Sequence, residues 1–142
     1  MRTLSIKYES WPLRKIFTIS RGSKISADVV YLEIQEGDYI GKGEAVPYKR
    51  YGESVASVIS QIKAISNDLE NGLDREELQD TLKPGAARNA IDCALWDLQA
   101  KIDKTPLYNE LNINLSNEIT TAMTLSMDSP EKMAAESFIY KT

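Results

Sequence analysis

Hydrophobic and polar residues alternate along the first third of the chain. The segment TLSIKYE places Leu4, Ile6 and Tyr8 on one face of a strand and polar residues on the other. The same alternation, typical of half-buried strands, recurs in three further segments: KIFTIS, DVVYLEI and YIGKGEAV. Short connections between these segments predict an antiparallel meander of three or four strands, with the polar stretch RGSKISA as an exposed loop.

The hydrophobic period changes to that of a helix at Ser54. Apolar residues then recur every three or four positions, which predicts a helix with Ser54 as its N-cap and Gly72 at its end. Asp74, followed three residues later by Glu77, predicts a capping box for a short second helix. A third helix is predicted through AARNAIDCALWDLQAKI, whose alanines would let it lie close to a neighbour. Strands followed by helices predict an α+β fold.

A strand and a helix are predicted again at the end of the chain. The segment ITTAMTLSM has the pattern of a strand, and SPEKMAAESFIY predicts a helix with Ser129 as N-cap and a proline in its first turn. This is the beginning of a βα unit, which needs further parallel strands to form a sheet. We therefore divide the chain into residues 1–116 and 117–142 and expect the natural protein to continue past Thr142.

Composition narrows the classes of function. Hydrophobic residues make up 42% and charged residues 27%, as in ordinary globular proteins. A net charge of −4 argues against nucleic acid as a partner, and no run of residues is apolar enough to span a membrane. Cys93 is the single cysteine, so no intrachain disulfide can form, which fits the cytoplasm. Histidine is absent, which excludes Ser-His and Cys-His catalytic pairs within this chain.

The loop EAVPYKRYGES, residues 44–54, carries an unusual concentration of aromatic and cationic side chains. Composition leaves two interpretations open. Tyr48 and Tyr51 could fold back on the core, or the loop could present them for binding, as loops on a rigid scaffold often do. We expect Arg50 to face solvent, Gly52 to permit a tight turn, and Glu53 to favour through its charge the N-terminus of the helix that begins at Ser54.

Two motifs carry a family resemblance. GKGEAVPYKRYGES and ARNAIDCALWDLQAK resemble the N-terminal capping domain of the enolase superfamily, in its muconate-lactonizing-enzyme subgroup. FTISRGS and GAARNAIDCALWDL further resemble the L-Ala-D/L-Glu dipeptide epimerases. The resemblance implies an enolase-like α+β cap followed by the first βα unit of a (β/α) barrel, a domain that needs about 250 residues by itself.

The same resemblance implies an activity for the full-length protein. It would be an isomerase of murein-peptide metabolism that uses Mg²⁺ and transfers a proton at the glutamate α-carbon of a small acidic dipeptide. Magnesium would stabilise the enediolate that forms when this proton leaves. Family enzymes take their catalytic lysines and acidic metal ligands from later barrel strands. We therefore expect no catalytic and no metal-binding residue in this chain, and an inactive fragment; the full-length protein could form a homo-oligomer.

Three residues match substrate-binding positions of the family. Arg21 corresponds to the arginine of the first specificity loop, where a guanidinium would bind the glutamate side-chain carboxylate in a forked pair. Tyr51, in the second loop, would form a wall against the alanine end, and Thr124 would contact substrate at the rim of the barrel. The alternatives are a solvated arginine beside a turn for Arg21 and an ordinary strand residue for Thr124.

Other interpretations of the chain differ in substrate or in class. The full-length protein could be an N-acylamino acid racemase or an o-succinylbenzoate synthase, although an apolar acyl group would not need the cation of Arg21. The chain could also be a small, non-enzymatic binding domain. Asp92 and Asp97 are expected to make hydrogen bonds or ion pairs rather than to bind a metal, and Trp96 is expected to pack in the core or at an interface.

Overall fold

Three strands form one antiparallel sheet. The computed structural model describes residues 1–115 and 118–140. The strands, in spatial order, are β1 (Arg2–Ile19), β2 (Gly22–Glu36) and β3 (Tyr39–Ala45). Strands β2 and β3 pair antiparallel, with Val30 opposite Ala45 and Glu36 opposite Tyr39. The predicted meander is confirmed.

The first strand is longer than the alternation predicted. Two strands were expected, whereas β1 runs without interruption through Pro12. Since β1 is an edge strand, the missing N–H of proline removes no bond from the interior of the sheet. Tyr8 was predicted on the inner face, yet it is 53% exposed and its hydroxyl donates to Asp28 Oδ1 at 2.9 Å.

The prediction of a loop at RGSKISA is also wrong. A two-residue turn of Ser20 and Arg21 joins β1 to β2, which begins at Gly22. Gly22 has φ +133°, a conformation that L side chains rarely adopt, so a glycine here lets the strand begin directly after the turn. Residues 22–27 of this segment therefore belong to the start of β2, where they are exposed or half-buried.

Six helices follow the sheet in the part of the chain that the structure describes. They are α1 (Val55–Ala64), α2 (Ser66–Glu70), α3 (Arg75–Thr81), α4 (Ala86–Ile102), α5 (Leu107–Glu110) and α6 (Pro130–Ile139). The predicted N-caps are confirmed at three helices: Ser54 accepts from Ser57 N, Asp74 accepts from Glu76 N and Glu77 N, and Ser129 accepts from Lys132 N. Each cap satisfies backbone donors that have no partner within the helix itself.

One predicted helix is divided in two. The helix expected from Ser54 to Gly72 breaks at Ile65, which has φ −113° and ψ 15°. The hydroxyl of Ser66 donates to Lys63 O at 2.9 Å, a local bond that competes with continuation of the helical ladder. The hydrophobic period continues across the break, because Ile62 and Leu69 both remain buried.

Helix α4 lies against β3 at backbone contact distance. A Cβ atom at Gly43 would lie 2.0 Å from Ala90 O, and one at Gly41 would lie 2.2 Å from Ala94 O. Glycine is therefore required on the strand, as alanine is favoured on the helix, for the two backbones to approach this closely. The predicted apolar stripe of α4 is buried in this contact, with Ile91 and Leu98 almost fully excluded from solvent.

The core is formed by the inner face of β2 with the buried sides of α1 to α4. Val30, Leu32 and Ile34, predicted to share one face, are each at most 1% exposed. They pack with Val58 and Ile62 of α1. No buried polar or charged residue interrupts this core within the described ranges. In those ranges no helix has the length and apolar character needed to cross a membrane.

The chain divides into two compact units. The first contains Met1–Ser10 and Asp28–Leu115, and the second contains Trp11–Ala27 with the described residues after Leu115. The boundary predicted between residues 116 and 117 lies outside the described residues, and the domain division stays a prediction.

The strand predicted at ITTAMTLSM is not formed. Residues 118–129 have no regular secondary structure, although the helix predicted after them is present as α6. Met127 N donates to Thr18 O at 2.8 Å, and Thr18 N donates to Ser126 Oγ at 2.9 Å. These isolated bonds do not make a ladder, and a parallel strand needs a neighbour reached through a crossover.

The close contact between β3 and α4 predicts the effect of a single methyl group. Gly43→Ala should lower the free energy of unfolding by about 3 kcal/mol, because the added Cβ overlaps a helix carbonyl that cannot move without displacing α4. Urea unfolding measures this change. Glu44→Ala, one residue along on the exposed face of β3, should change stability by only about 0.5 kcal/mol; equal effects of the two substitutions would contradict the close packing.

Candidate functional site

The tyrosine loop, residues 44–54, forms a compact turn between β3 and α1. Lys49–Tyr51 make one turn of 3-10 helix, and Gly52 ends it in the left-handed region at φ 75°. Tyr51 N and Glu53 N both donate to Tyr48 O, at 2.9 and 3.2 Å. The tight turn predicted at Gly52 is confirmed, and these bonds give the loop a defined backbone path.

The two tyrosines of this loop face outwards. Tyr48 is 49% and Tyr51 is 74% exposed, and their ring centroids lie 6.2 Å apart with the planes tilted by 51°. The interpretation in which both rings fold back on the core is therefore wrong. Exposed rings in mutual contact give the loop an amphipathic surface, which is suited to contact a ligand. Arg50 is exposed, as predicted.

Glu53 connects this loop to a distant helix. Its Oε1 accepts from Ala86 N at 2.6 Å, and its Oε2 accepts from Tyr48 N at 3.1 Å. The charge was expected to favour the N-terminus of α1, which follows it in sequence; this prediction is wrong, because the carboxylate binds the N-terminus of α4 instead. Sequence reasoning missed this pairing. The available signal was Gly85, which precedes α4 and has no side chain with which to cap it.

A cavity of about 490 Å³ lies between the tyrosine loop and the beginning of α4. Tyr48 and Tyr51 line it on the loop side, with Pro84, Ala86 and Asn89 on the helix side. Its volume lies within the range of small-molecule sites. All of its lining residues belong to the first unit.

Arg21 and Thr124 both belong to the second unit. Arg21 occupies the turn between β1 and β2, and it is exposed. Its guanidinium makes no hydrogen bond or ion pair with the residues that the structure describes, so it is available to an anion. Thr124 is exposed and lies two residues before Ser126, which bonds the end of β1 through Thr18. The structure thus joins the segment of Thr124 to the hairpin that carries Arg21, whereas Tyr51 belongs to the first unit.

The carboxylates of α4 are engaged in structural contacts. Asp92 Oδ1 lies 3.3 Å from Arg75 Nε, and the guanidinium carbon of Arg75 stacks 3.1 Å from the centre of the Trp96 ring. Asp97 Oδ2 accepts from Lys42 N at 2.8 Å and from Lys101 Nζ at 2.6 Å. The hydrogen bonds and ion pairs predicted for both aspartates are confirmed.

Neither a metal cage nor an activated thiol is formed by the described residues. No group of three acidic, histidine or cysteine side chains in residues 1–115 and 118–140 is arranged to hold a metal ion. Burial and then the negative charge of Asp92 raise the pKa of the Cys93 thiol. This thiol therefore stays protonated at neutral pH, and it lacks the thiolate character of a catalytic nucleophile.

Comparison with known families decides the assignment. The sequence model of the mandelate racemase / muconate lactonizing enzyme N-terminal domain matches residues 1–111. The chain belongs to this family. The predicted membership of the enolase superfamily and the predicted α+β capping domain are thereby confirmed.

The relatives of this capping domain include enzymes that act on glutamate derivatives. The L-Ala-D/L-Glu epimerase of Escherichia coli (strain K12) is 48% identical over 94% of this chain. The N-acetyl-D-glutamate racemase of a Pseudoalteromonas species is 41% identical over 74% of the chain. The chain spans 42% of the first relative and 34% of the second. One relative is an epimerase and the other a racemase. This capping domain is therefore similar to the N-terminal parts of isomerases.

A solved structure from Agrobacterium tumefaciens has the same fold. It is an enolase family member with homology to dipeptide epimerases, determined with bound sodium and L-Ala-L-Glu and with an ordered loop. It superposes with a TM-score of 0.91 at 44% identity, over 96% of this chain and 42% of its own. A dipeptide epimerase from Enterococcus faecalis V583, in complex with Mg and L-Leu-L-Tyr, superposes with a TM-score of 0.81 at 28% identity, over 95% of this chain and 40% of its own.

Proposed function

We propose that this chain is the N-terminal part of an epimerase that inverts the glutamate α-carbon of L-Ala-D/L-Glu dipeptides derived from murein. The observation that carries the proposal is the 48% identity to the L-Ala-D/L-Glu epimerase of Escherichia coli over nearly the whole chain. The role of these residues is to bind and orient the substrate and to exclude water from it.

Arg21 is proposed to recognise the glutamate side chain. Its position at a two-residue turn and its exposed guanidinium let it bind a carboxylate through two parallel N–H···O bonds. Such a pair fixes the orientation of the carboxylate as well as attracting it. A hydrogen bond to a charged group contributes about 1.5 to 3 kcal/mol, which is enough to distinguish glutamate from an apolar residue of similar size.

Tyr51 and Thr124 have complementary proposed roles. The exposed ring of Tyr51 would supply an apolar wall for the alanine end of the dipeptide. The hydroxyl of Thr124 can donate one hydrogen bond and accept others, which suits a polar group of the peptide.

The reactive groups are proposed to lie outside these 142 residues. The chain contains no histidine, and the carboxylates of α4 are already paired with Arg75, Lys101 and a backbone amide. The described residues do not fit a metal ion. The full-length protein is therefore proposed to hold its Mg²⁺ on residues beyond this chain, and the chain alone is proposed to be inactive.

Racemisation of an N-acylated glutamate is the second candidate function. The 41% identity to the N-acetyl-D-glutamate racemase of Pseudoalteromonas favours it. Arg21 does not distinguish the two candidates, because an N-acetylated glutamate retains the same side-chain carboxylate. The difference lies in the group attached to the glutamate nitrogen, and an alanyl residue has an amino group that an acetyl group lacks.

Isotope exchange tests the proposed reaction. The full-length protein, incubated with L-Ala-L-Glu and Mg²⁺ in heavy water, should replace the glutamate α-proton by deuterium, which proton NMR measures directly. Exchange should be faster with this dipeptide than with N-acetyl-L-glutamate at equal concentration. Faster exchange in N-acetyl-L-glutamate would favour the second candidate, and absence of exchange in both substrates would remove the epimerase proposal.

Substitution of Arg21 tests whether this residue binds the side-chain carboxylate of glutamate. Arg21→Met keeps an unbranched side chain and removes the charge, so KM for L-Ala-L-Glu should rise about 10- to 100-fold, the loss of about 1.5 to 3 kcal/mol. KM for L-Ala-L-Leu should be nearly unchanged, because leucine has no carboxylate to bind. Steady-state kinetics on the full-length protein measures both values. A parallel rise in both would show that Arg21 does not read the side chain.

A further inference from the structure

Glu53 joins two segments that are far apart in sequence. Its two carboxylate oxygens accept hydrogen bonds from different backbones, Oε1 from Ala86 N at 2.6 Å and Oε2 from Tyr48 N at 3.1 Å. The first partner begins α4, and the second begins the turn of the tyrosine loop. One side chain therefore bridges the loop and the helix.

A carboxylate is suited to the helix end of this connection. The first N–H groups of a helix have no partner inside it and carry partial positive charge, which favours an anion. Gly85, the N-cap of α4, makes no side-chain bond to them. A Cβ atom at Gly85 would lie 2.9 Å from Glu53 Oε1, so glycine leaves room for the carboxylate to approach.

The loop end of the connection is the peptide group of Tyr48. Tyr48 O accepts from Tyr51 N and Glu53 N, while Tyr48 N donates to the Glu53 side chain. The backbone of the turn is therefore closed on itself through Tyr48 and attached to α4 through Glu53. Release of Glu53 would detach the turn from α4 and leave Tyr48 N without its acceptor, so the turn would open more often.

We propose that Glu53 is a positioning residue that holds the tyrosine loop at a fixed distance from α4. This distance sets the width of the cavity of about 490 Å³ between Tyr51 and Asn89. The part that concerns substrate rests on the proposed function, in which Tyr51 contacts the dipeptide. Glu53 acts through the loop and is not a catalytic residue, since both of its oxygens are occupied by backbone donors.

Trypsin cleavage of the full-length protein reports the position of the loop. Lys49 and Arg50 are exposed within the turn, and cleavage of a native protein follows the population of its open form when opening is fast. Glu53→Ala should increase cleavage after these two residues by about tenfold or more, the change expected for the loss of a hydrogen bond to a charged group. Glu53→Gln, which keeps one acceptor oxygen, should give an intermediate rate. Mass spectrometry identifies the cleaved bond.

Glu77→Ala is the matched control. Glu77 Oε2 accepts from Asp74 N at 3.0 Å, so it also caps a helix, but it makes no contact with the tyrosine loop. It should leave cleavage after Lys49 and Arg50 unchanged while lowering thermal stability by an amount similar to that of Glu53→Ala. Equal cleavage in both variants would overturn the proposed attachment. If Glu53→Ala does not fold, as circular dichroism would show, the comparison of Glu53→Gln with Glu77→Gln decides the same point.

Steady-state kinetics then distinguishes attachment of the tyrosine loop to α4 from an effect of the loop on substrate binding. Glu53→Ala should raise KM for L-Ala-L-Glu several-fold more than it lowers kcat, with Glu53→Gln between it and the parent protein. Faster cleavage with unchanged KM would show an attached loop that does not position substrate, which contradicts the proposal. Absence of epimerase activity in the parent protein would remove the proposed function, and the cleavage rates would still decide whether Glu53 holds the loop.

Discussion

The contact between the backbones of β3 and α4 is the constraint on which the first unit depends. Gly41 and Gly43 remove side chains from the strand at the two positions where helix carbonyls lie nearest. The helix can therefore bury its alanines and leucines directly against the sheet, and the core closes around this contact. This contact also fixes the position of the N-terminus of α4, where the Glu53 carboxylate binds.

This arrangement separates the packed core from the exposed loops. Helix α4 and the sheet are held by apolar burial, while the tyrosine loop and the β1–β2 turn carry exposed aromatic and cationic groups. The charged residues of α4 are used within the fold, because Asp92 and Asp97 bind Arg75, Lys101 and Lys42 N. A capping domain built in this way can vary its loops without changing the packing that supports them.

Local features of the fold could be predicted from the sequence, and long-range ones could not. The caps at Ser54, Asp74 and Ser129 each involve residues two or three positions apart, so their residue types were sufficient. The break at Ile65 and the turn at Gly22 depend on single backbone conformations that the hydrophobic period does not encode. The strand predicted near Thr124 had the right alternation, yet a strand also needs a partner.

The candidate site shows the same limit. The exposure of Tyr51 could not be decided from composition, and only the folded backbone of the loop shows which way the ring faces. The bond from Glu53 to Ala86 joins residues 33 positions apart and depends on the placement of α4 against β3. The resemblance to the enolase superfamily supplied the roles proposed for Arg21 and Thr124, which no periodicity indicates.

A crystal structure of the full-length protein with bound L-Ala-L-Glu would test the account most directly. We expect the Arg21 guanidinium to lie within hydrogen-bonding distance of the glutamate side-chain carboxylate and the Tyr51 ring to contact the ligand. The metal and the basic groups at the α-carbon would come from residues beyond this chain. A dipeptide whose side-chain carboxylate is held elsewhere, with Arg21 and Tyr51 both in solvent, would contradict it.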